Sequence, residues 1–285
     1  MKKRFTHGDA NERGTIRQVT YQTVNEKGET VEKYANVYLP YQYDPEKPYN
    51  IFYLIHGGGG NPDAWLDSCS LKNMLDLSIQ RGELNPLIVV TPTYYTEGTG
   101  KPGMEGEGEK TMIFQKELVE DLMPAVESAY HTYAQSTDLA GLKASRFHRG
   151  IGGFSMGSVT TWNAFLRNID YIAYFMPLSG DCWAIEQLGG STQSEKTAQY
   201  LHDAVIKSGY KPDEYFIYTA TGTEDIAFKQ LYGQVNAMLH FPDTFVDATG
   251  FGAGNFCYHF EEGGVHAYTD VCQYVYQALP CFFKK

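Results

Sequence analysis

Residues 150–157 read Gly-Ile-Gly-Gly-Phe-Ser-Met-Gly, and this stretch decides the fold prediction. Its small and apolar residues up to Phe154 predict a buried strand, and a helix is predicted over residues 157–168. A serine at such a strand-to-helix turn, in the pattern G-x-S-x-G, is typical of a nucleophile elbow, with Ser155 as the predicted nucleophile. The glycines are needed because a β-carbon there would collide with the neighbouring strand and helix. The pattern is weak by itself, because an ordinary tight turn can also contain it.

Strands and helices alternate on both sides of this turn, which predicts an α/β fold. Continuous apolar runs, typical of buried parallel strands, occupy residues 51–55, 87–91, 171–178, 215–220 and 256–260. Helical spacing of apolar residues is found over residues 114–134, 194–208 and 266–278. The stretch 96–110 is rich in Gly and Glu and has little to pack, so a mobile surface loop is expected there.

The first strands differ from these because their apolar and polar residues alternate. The alternation covers residues 15–21 and 31–39, with a turn at 25–28, and it predicts an antiparallel hairpin. We therefore expect a mostly parallel central sheet that is flanked by helices and preceded by this hairpin. Residues 15–285 are predicted to form a single domain after an N-terminal extension, residues 1–14, since the chain shows no repeat and no low-complexity linker.

A second glycine-rich segment follows the predicted strand at 51–55 and reads His56-Gly57-Gly58-Gly59-Gly60. Where a nucleophile elbow occurs, the oxyanion hole pairs the N–H after the nucleophile with one from a loop of this kind. The predicted donors are Met156 and Gly58. A phosphate-binding loop is the rival interpretation, but no Gly-Lys-Ser/Thr follows and Asn61-Pro62 interrupts the segment. His56 itself is predicted to be structural because it precedes the loop on the strand.

A nucleophilic serine needs a base, and the base needs an orienting acid. In this arrangement the acid and then the histidine follow the serine, each on a loop after a late strand. Asp225 is the predicted catalytic acid, although it also fits a helix N-cap, and Glu224 in the same turn is the alternative. His266, in a Gly-Gly-Val-His loop, is the predicted base, with the strand residue His259 as the alternative.

Composition argues against several other classes of protein. The formal net charge is −11 and no Lys/Arg cluster offers a basic face, so no nucleic-acid partner is expected. No apolar run reaches the roughly 18 residues of a membrane-spanning helix, so no membrane partner is expected. Histidines and carboxylates show no metal-ligand spacing and no C-x-x-C pair occurs, so neither a metal nor another cofactor is expected. The paired carboxylates of a glycosidase would leave the serine motif unexplained.

Cysteine usage and the N-terminus leave two properties open. Five cysteines are not a disulfide framework in a chain of this length, but one or two bridges are conceivable, for instance between Cys257 and Cys272 or Cys281. The basic N-terminus is followed by polar residues rather than by a signal-peptide core. The chain is therefore expected to be cytoplasmic, or secreted with a signal outside this sequence, and its oligomeric state is not predicted.

Five motifs together resemble the feruloyl esterases of carbohydrate esterase family 1, which have the α/β-hydrolase fold. They are residues 54–60, 153–157, 179–183, 222–225 and 263–266, and the likeness runs from about Gln18 to the C-terminus. It implies a secreted serine carboxylesterase that hydrolyses feruloyl and related hydroxycinnamoyl esters of plant cell-wall polysaccharide through an acyl-enzyme. Acetylxylan esterase and S-formylglutathione hydrolase-like thioesterase are the alternatives among enzymes. A non-catalytic carbohydrate-binding module with this fold is the alternative of another class.

Substrate contacts are predicted at the carboxyl ends of the strands, which rim the cleft in open α/β sheets. Aromatic faces there suit a phenolic ring. The predicted substrate-binding residues are Trp65, Thr93, Tyr94, Tyr95, Asp181 and Trp183.

Overall fold

One mixed sheet organises the protein in the computed structural model, which describes residues 8–96, 106–248 and 254–284. Within these residues the sheet has eight strands in the order β1-β2-β4-β3-β5-β6-β7-β8. The strands are β1 (Thr15–Val24), β2 (Thr30–Leu39), β3 (Asn50–Ile55), β4 (Leu87–Thr91), β5 (Arg149–Phe154), β6 (Tyr174–Leu178), β7 (Phe216–Gly222) and β8 (Phe256–Glu261). β2 pairs antiparallel with β1 and β4, and all other pairs are parallel. The predicted mostly parallel sheet with an N-terminal hairpin is confirmed.

Helices cover both faces of this sheet. They are α1 (Ala64–Cys69), α2 (Leu71–Gln80), α3 (Glu107–Glu117), α4 (Met123–Ala129), α5 (Leu139–Ala144), α6 (Met156–Arg167), α7 (Gly189–Thr192), α8 (Ser194–Ser208), α9 (Phe228–Met238) and α10 (Tyr268–Ala278). A π-helical turn, Leu118–Leu122, joins α3 to α4. Pro124 follows that turn and lacks the N–H that a regular α-helical bond would need.

Strand β3 illustrates why the core has two layers. Its side chains alternate, so that Ile51, Tyr53 and Ile55 are buried on the face covered by α3, α4, α6, α8 and α9. Phe52 and Leu54 are buried on the opposite face, with α1, α2 and α10. A strand that is apolar on both faces is the reason for the continuous apolar run in its sequence.

Several predicted boundaries shift. The helix predicted at 114–134 begins at Glu107 and ends at Ala129, so residues 107–110 are helical rather than part of the predicted loop. Residues 97–105 of that loop lie outside the described residues. The strand predicted from residue 171 begins at Tyr174, and the last helix begins at Tyr268 rather than at 266.

Two further findings concern the cysteines and the membrane. None of the five cysteines, all of which the structure describes, forms a disulfide, so the bridges considered from sequence are not formed in this structure. Across the part of the chain that the structure describes, no helix combines the length and the apolar character that crossing a bilayer requires.

Candidate active site

Ser155 occupies the tight turn between β5 and α6. Its backbone has φ 57° and ψ −113°, a conformation that side-chain-bearing residues rarely adopt and that costs on the order of 1–3 kcal/mol. The N–H of Ser155 donates to the carbonyl of Leu178 on the neighbouring strand, at 3.0 Å, and so anchors the strained residue to the sheet. The turn lies at the carboxyl end of the parallel strands, where ligands bind in open α/β sheets.

Two glycines make room for this turn. A β-carbon on Gly157 would lie 2.4 Å from the carbonyl oxygen of Ile55, and one on Gly153 would lie 2.6 Å from the backbone of Gly157. Backbone atoms cannot move aside as a flexible side chain can, so both positions need glycine. The predicted reason for the G-x-S-x-G pattern therefore holds in the structure.

Asp225 and His266 are in direct contact. His266 Nδ1 donates to Asp225 Oδ1 at 2.7 Å, and the N–H of Ala227 donates to the same oxygen at 2.7 Å. The Asp225 side chain is fully buried and that of His266 is 20 % exposed. Burial alone would raise the pKa of Asp225, but the hydrogen bonds from His266 and Ala227 outweigh it, and the pKa lies below its usual range. With Nδ1 as donor, Nε2 of His266 is left as the acceptor that a base needs.

The imidazole of His266 lies beside the turn that holds the serine. Its ring packs against the ring of Phe154, the residue before Ser155, with centroids 4.6 Å apart. The structure thus brings the predicted base, its acid and the serine turn together at the carboxyl end of the parallel strands. Of the alternative residues, Glu224 is exposed in the same turn as Asp225, and His259 pairs with Glu261 at 2.7 Å on β8.

Gly58 and Met156, the predicted oxyanion donors, are neighbours. A β-carbon on Gly58 would lie 3.4 Å from Cγ of Met156, and both residues line the same cleft. Met156 is the first residue of α6, where backbone N–H groups have no acceptor within the helix. An N–H at this position is therefore available to a ligand in the cleft, and the helix dipole favours negative charge there.

A buried histidine holds the glycine loop through a hydrogen bond to its backbone. His56 Nδ1 lies 2.7 Å from the carbonyl oxygen of Gly57, and Nε2 lies 2.8 Å from Oγ1 of Thr93. A carbonyl can only accept, so Nδ1 carries the proton and Nε2 accepts from the Thr93 hydroxyl. Burial lowers the pKa of His56 to about 4, which keeps the ring neutral. The loop is also held by Tyr95, whose hydroxyl oxygen accepts from the N–H of Gly59 at 2.6 Å.

A cleft of about 380 Å³ opens beside these donors. Its lining comes from segments far apart in the sequence: Gly58, Gly106, Glu107, Gly108, Met112, Met156, Asn163, Trp183 and Gln187. The buried Glu107 carboxylate accepts hydrogen bonds from the hydroxyl groups of Tyr94 and Tyr95. Nothing in the sequence pointed to Glu107, Met112, Asn163 and Gln187, because no local motif marks residues that reach the cleft from α3, from α6 or from the turn before α7.

The predicted substrate-binding residues lie at different depths in the structure. Trp183 lines the cleft, and its indole Nε1 donates to Asp181, which also accepts from the N–H of Gly190. Asp181 is buried and therefore holds Trp183 in place rather than facing the cleft. The buried residues Thr93, Tyr94 and Tyr95 lie behind the glycine loop and Glu107.

Trp65 requires a correction. It was expected at the rim, but it is 0 % exposed and belongs to the core layer with α2 and α10. Its Nε1 donates to the carbonyl of Ile55 at 3.1 Å and its ring packs edge-on against Tyr268. The short helix α1 turns this side chain toward the sheet, where no substrate can reach it.

No group of three or more His, Cys, Asp or Glu residues suited to a metal ion is found among the described residues.

Comparison with known proteins gives three findings. A family model described as "Putative esterase" matches residues 31–269. The chain is 44 % identical over 271 residues to endo-1,4-β-xylanase Y of Acetivibrio thermocellus, covering 95 % of this chain and 23 % of the relative. It is 30 % identical over 194 residues to an endo-1,4-β-xylanase/feruloyl esterase of Xylanibacter ruminicola, covering 66 % of this chain and 24 % of the relative. The chain thus spans about a quarter of the length of these curated relatives.

A solved structure is similar over almost the whole chain. It is a serine-to-alanine mutant of the feruloyl esterase module from Clostridium thermocellum in complex with sinapinate. The sequence identity is 40 %, the TM-score is 0.85, and the match covers 99 % of this chain and 94 % of the other.

Proposed function

The chain belongs to the putative esterase family, and we propose that it is a serine carboxylesterase acting on hydroxycinnamoyl esters of plant cell-wall polysaccharide. The observation that carries this proposal is the 2.7 Å contact between His266 Nδ1 and Asp225 beside the strained Ser155 turn. An imidazole that is oriented by a buried carboxylate and lies beside a serine turn is the arrangement that activates serine for attack on an ester.

The reaction proceeds in two steps. Ser155 Oγ attacks the ester carbonyl carbon while His266 Nε2 takes the hydroxyl proton, and the N–H groups of Met156 and Gly58 bind the oxyanion. As the tetrahedral intermediate collapses, the bond to the sugar oxygen breaks and His266 returns the proton to that oxygen. Water then attacks the acyl-enzyme with His266 again as base, which releases the carboxylic acid and restores Ser155.

The substrate class is supported by the relatives and by the cleft. Two xylanases, one of them named as a feruloyl esterase as well, are similar in sequence, and the similar solved structure holds sinapinate. In this chain the indole of Trp183 lines the cleft next to the predicted oxyanion donors and offers an aromatic surface to a phenolic acyl group. Because such a polysaccharide is too large to enter a cell, we also propose that the protein acts outside the cell.

A comparison of substrates tests this function. The ratio kcat/KM is measured on methyl ferulate, p-nitrophenyl acetate and a glutathione thioester, with Ser155→Ala as the inactive control. We expect the highest value on methyl ferulate among the unactivated substrates and no turnover by the control. A preference for the thioester would assign the chain to thioesterases. A higher value on acetylated xylan, assayed beside these substrates, than on methyl ferulate would assign it to acetylxylan esterases. No hydrolysis of any ester would favour a binding module.

A further inference from the structure

Three aromatic side chains form a cluster on the surface next to the catalytic acid. Phe228 and Tyr232 lie on α9 and Phe260 lies on β8, and we call the three the aromatic ledge. Their ring centroids are 5.4 Å apart for Phe228 and Tyr232, 5.6 Å for Phe228 and Phe260, and 5.3 Å for Tyr232 and Phe260. Tyr232 is 46 % exposed, and the two phenylalanines are half-buried. The ledge therefore presents aromatic surface to the outside of the molecule.

Chain connectivity puts the ledge on the active-site face. Helix α9 begins three residues after Asp225, and Phe260 is near the end of β8, shortly before the loop with His266. Two further exposed apolar side chains lie next to the site residues in sequence. Ile226, after Asp225, is 77 % exposed, and Val265, before His266, is 45 % exposed. Exposed apolar surface that adjoins a site is a common mark of a binding surface.

The ledge belongs to β8 and to the helix that follows β7, on the opposite side of β5 from β3 and its glycine loop. The cleft is lined by the glycine loop after β3, by α3 and α6, and by Trp183 and Gln187 after β6, and it takes the acyl group under the proposed function. The alcohol departs on the other side, because His266 must reach its oxygen to protonate it. β8, which carries Phe260, is the third strand from β5, which precedes Ser155. At the usual strand spacing these two strands are about 14 Å apart.

We propose that the aromatic ledge is a subsite for the sugar chain of the polysaccharide that carries the ester. This proposal rests on the proposed function and extends it to the leaving group. Flat apolar faces of pyranose rings bind to aromatic side chains, and a neutral sugar chain is compatible with a protein whose formal net charge is −11. A small ester such as methyl ferulate has no sugar chain and does not extend to the ledge.

Kinetics on two substrates test the subsite. The variant Tyr232→Ala is compared with Tyr232→Phe, which keeps the ring, and with Tyr41→Ala. Tyr41 is a matched control because its side chain is 42 % exposed but lies far from the active site. It follows β2, which runs antiparallel to β4 and therefore ends at the amino end of the parallel strands. For Tyr232→Ala we expect kcat/KM on feruloylated arabinoxylan to fall roughly 3- to 10-fold, mainly through KM, with no change on methyl ferulate.

The controls decide how the result is interpreted. Tyr232→Phe should retain activity on the polysaccharide, and Tyr41→Ala should change neither substrate. An equal loss on both substrates, or no loss on either, would overturn the proposal. Melting temperatures of the variants show that each remains folded.

Binding without catalysis separates the subsite from the proposed function. In affinity electrophoresis with arabinoxylan freed of its esters, the wild-type protein and Tyr41→Ala should be retarded and Tyr232→Ala should migrate faster. If the wild-type protein hydrolyses no feruloyl ester but this pattern is found, the proposed function fails and the subsite stands. Equal mobility of all three proteins would contradict the subsite even if the esterase activity is confirmed.

Discussion

His56 determines the direction in which the glycine loop presents its amide groups. The carbonyl and the N–H of a trans peptide point in opposite directions. Because His56 Nδ1 donates to the carbonyl of Gly57, the N–H of Gly58, which belongs to the same peptide, points away from His56 toward the cleft. A second bond, from the N–H of Gly60 at 3.1 Å, holds the same carbonyl. We therefore propose that His56, which was predicted only to be structural, positions the predicted oxyanion donor Gly58.

The first prediction separates positioning from binding. In His56→Ala the bond to Gly57 is lost, so kcat should fall at least about tenfold while KM changes little, because the oxyanion forms only in the transition state. In His56→Asn an amide nitrogen can replace Nδ1, and part of kcat should return. A loss of the same size in both variants, expressed mainly in KM, would contradict this role.

The lowered pKa of His56 makes a second prediction, about stability. The unfolded chain takes up a proton on this residue near pH 6.5 and the folded protein only near pH 4, so stability falls as the pH drops through this window. Between pH 7 and pH 5 the contribution is about 2 kcal/mol. Urea denaturation of the wild type and of His56→Asn is measured at pH 7 and at pH 5. The unfolding free energy should fall between these pH values by about 2 kcal/mol more in the wild type than in the variant. Equal drops would show that His56 is protonated in the folded state as well.

The pKa of Asp225 allows a third prediction, about activity. Because this pKa lies below its usual range, Asp225 is ionised throughout the moderately acidic region. The loss of activity on the acid side must then come from protonation of the base and not of Asp225. The acid limb of the kcat/KM profile should therefore show a single ionisation. A constant rate from about pH 4 to pH 8 would exclude a histidine base.

At the scale of elements, the turn from β5 to α6 depends on the absence of side chains at two positions. Gly153 and Gly157 let the strand, the helix and Ile55 approach closely, and this approach holds Ser155 in its strained conformation. The strain is tolerated because the surrounding sheet and helix determine it from both sides.

The fourth prediction tests this close approach. In Gly157→Ala the added β-carbon would meet the carbonyl of Ile55, so the unfolding free energy should fall by about 2–3 kcal/mol and activity should be lost. Gly8→Ala is the control, because a β-carbon there meets nothing within 4 Å. Thermal unfolding and ester hydrolysis are measured on both. A Gly157→Ala protein as stable and active as the wild type would show that the turn does not need this glycine.

Elements with a strong periodic signal could be predicted from the sequence, and others could not. The apolar runs of β3 and β4 follow from burial on both faces, and the glycines at 153 and 157 belong to a local motif. Helix α9 escaped prediction because Gly233 interrupts its pattern with a residue of low helix propensity. That glycine is needed because a β-carbon would lie 2.3 Å from the carbonyl of Gly190 on α7, a contact that only the folded chain reveals.

The residues of the candidate site also include some that could be predicted from the sequence and some that could not. Ser155, Asp225 and His266 could be proposed because each follows a predicted strand in a known order. The cleft residues could not, because Glu107 and Asn163 reach the cleft from two different helices. Trp65 was wrong as a rim residue because a short helix gives no periodic signal for which side faces the core.

At the scale of the whole molecule, one continuous sheet with a core layer on each face connects all parts of the site. The hairpin β1–β2 joins the sheet through β4, and β8 closes the other edge. Such continuity supports the proposal that residues 15–285 form a single domain, since among the described residues no group of strands has a core of its own.

The fifth prediction follows from this continuity. Differential scanning calorimetry should show one transition whose calorimetric and van't Hoff enthalpies agree, because neither core layer can unfold while the shared sheet remains. Two separate transitions would indicate that the chain is divided into independent units.

The central claim is that Ser155 is activated by His266, and covalent labelling measures this directly. The purified protein is treated with a fluorophosphonate, which reacts with activated serines, and the modified residue is identified by peptide mass spectrometry. We predict one label per chain on Ser155, a much slower reaction in His266→Ala, and no label in a folded Ser155→Ala protein. An unlabelled wild-type protein, or a label on another serine, would contradict the account.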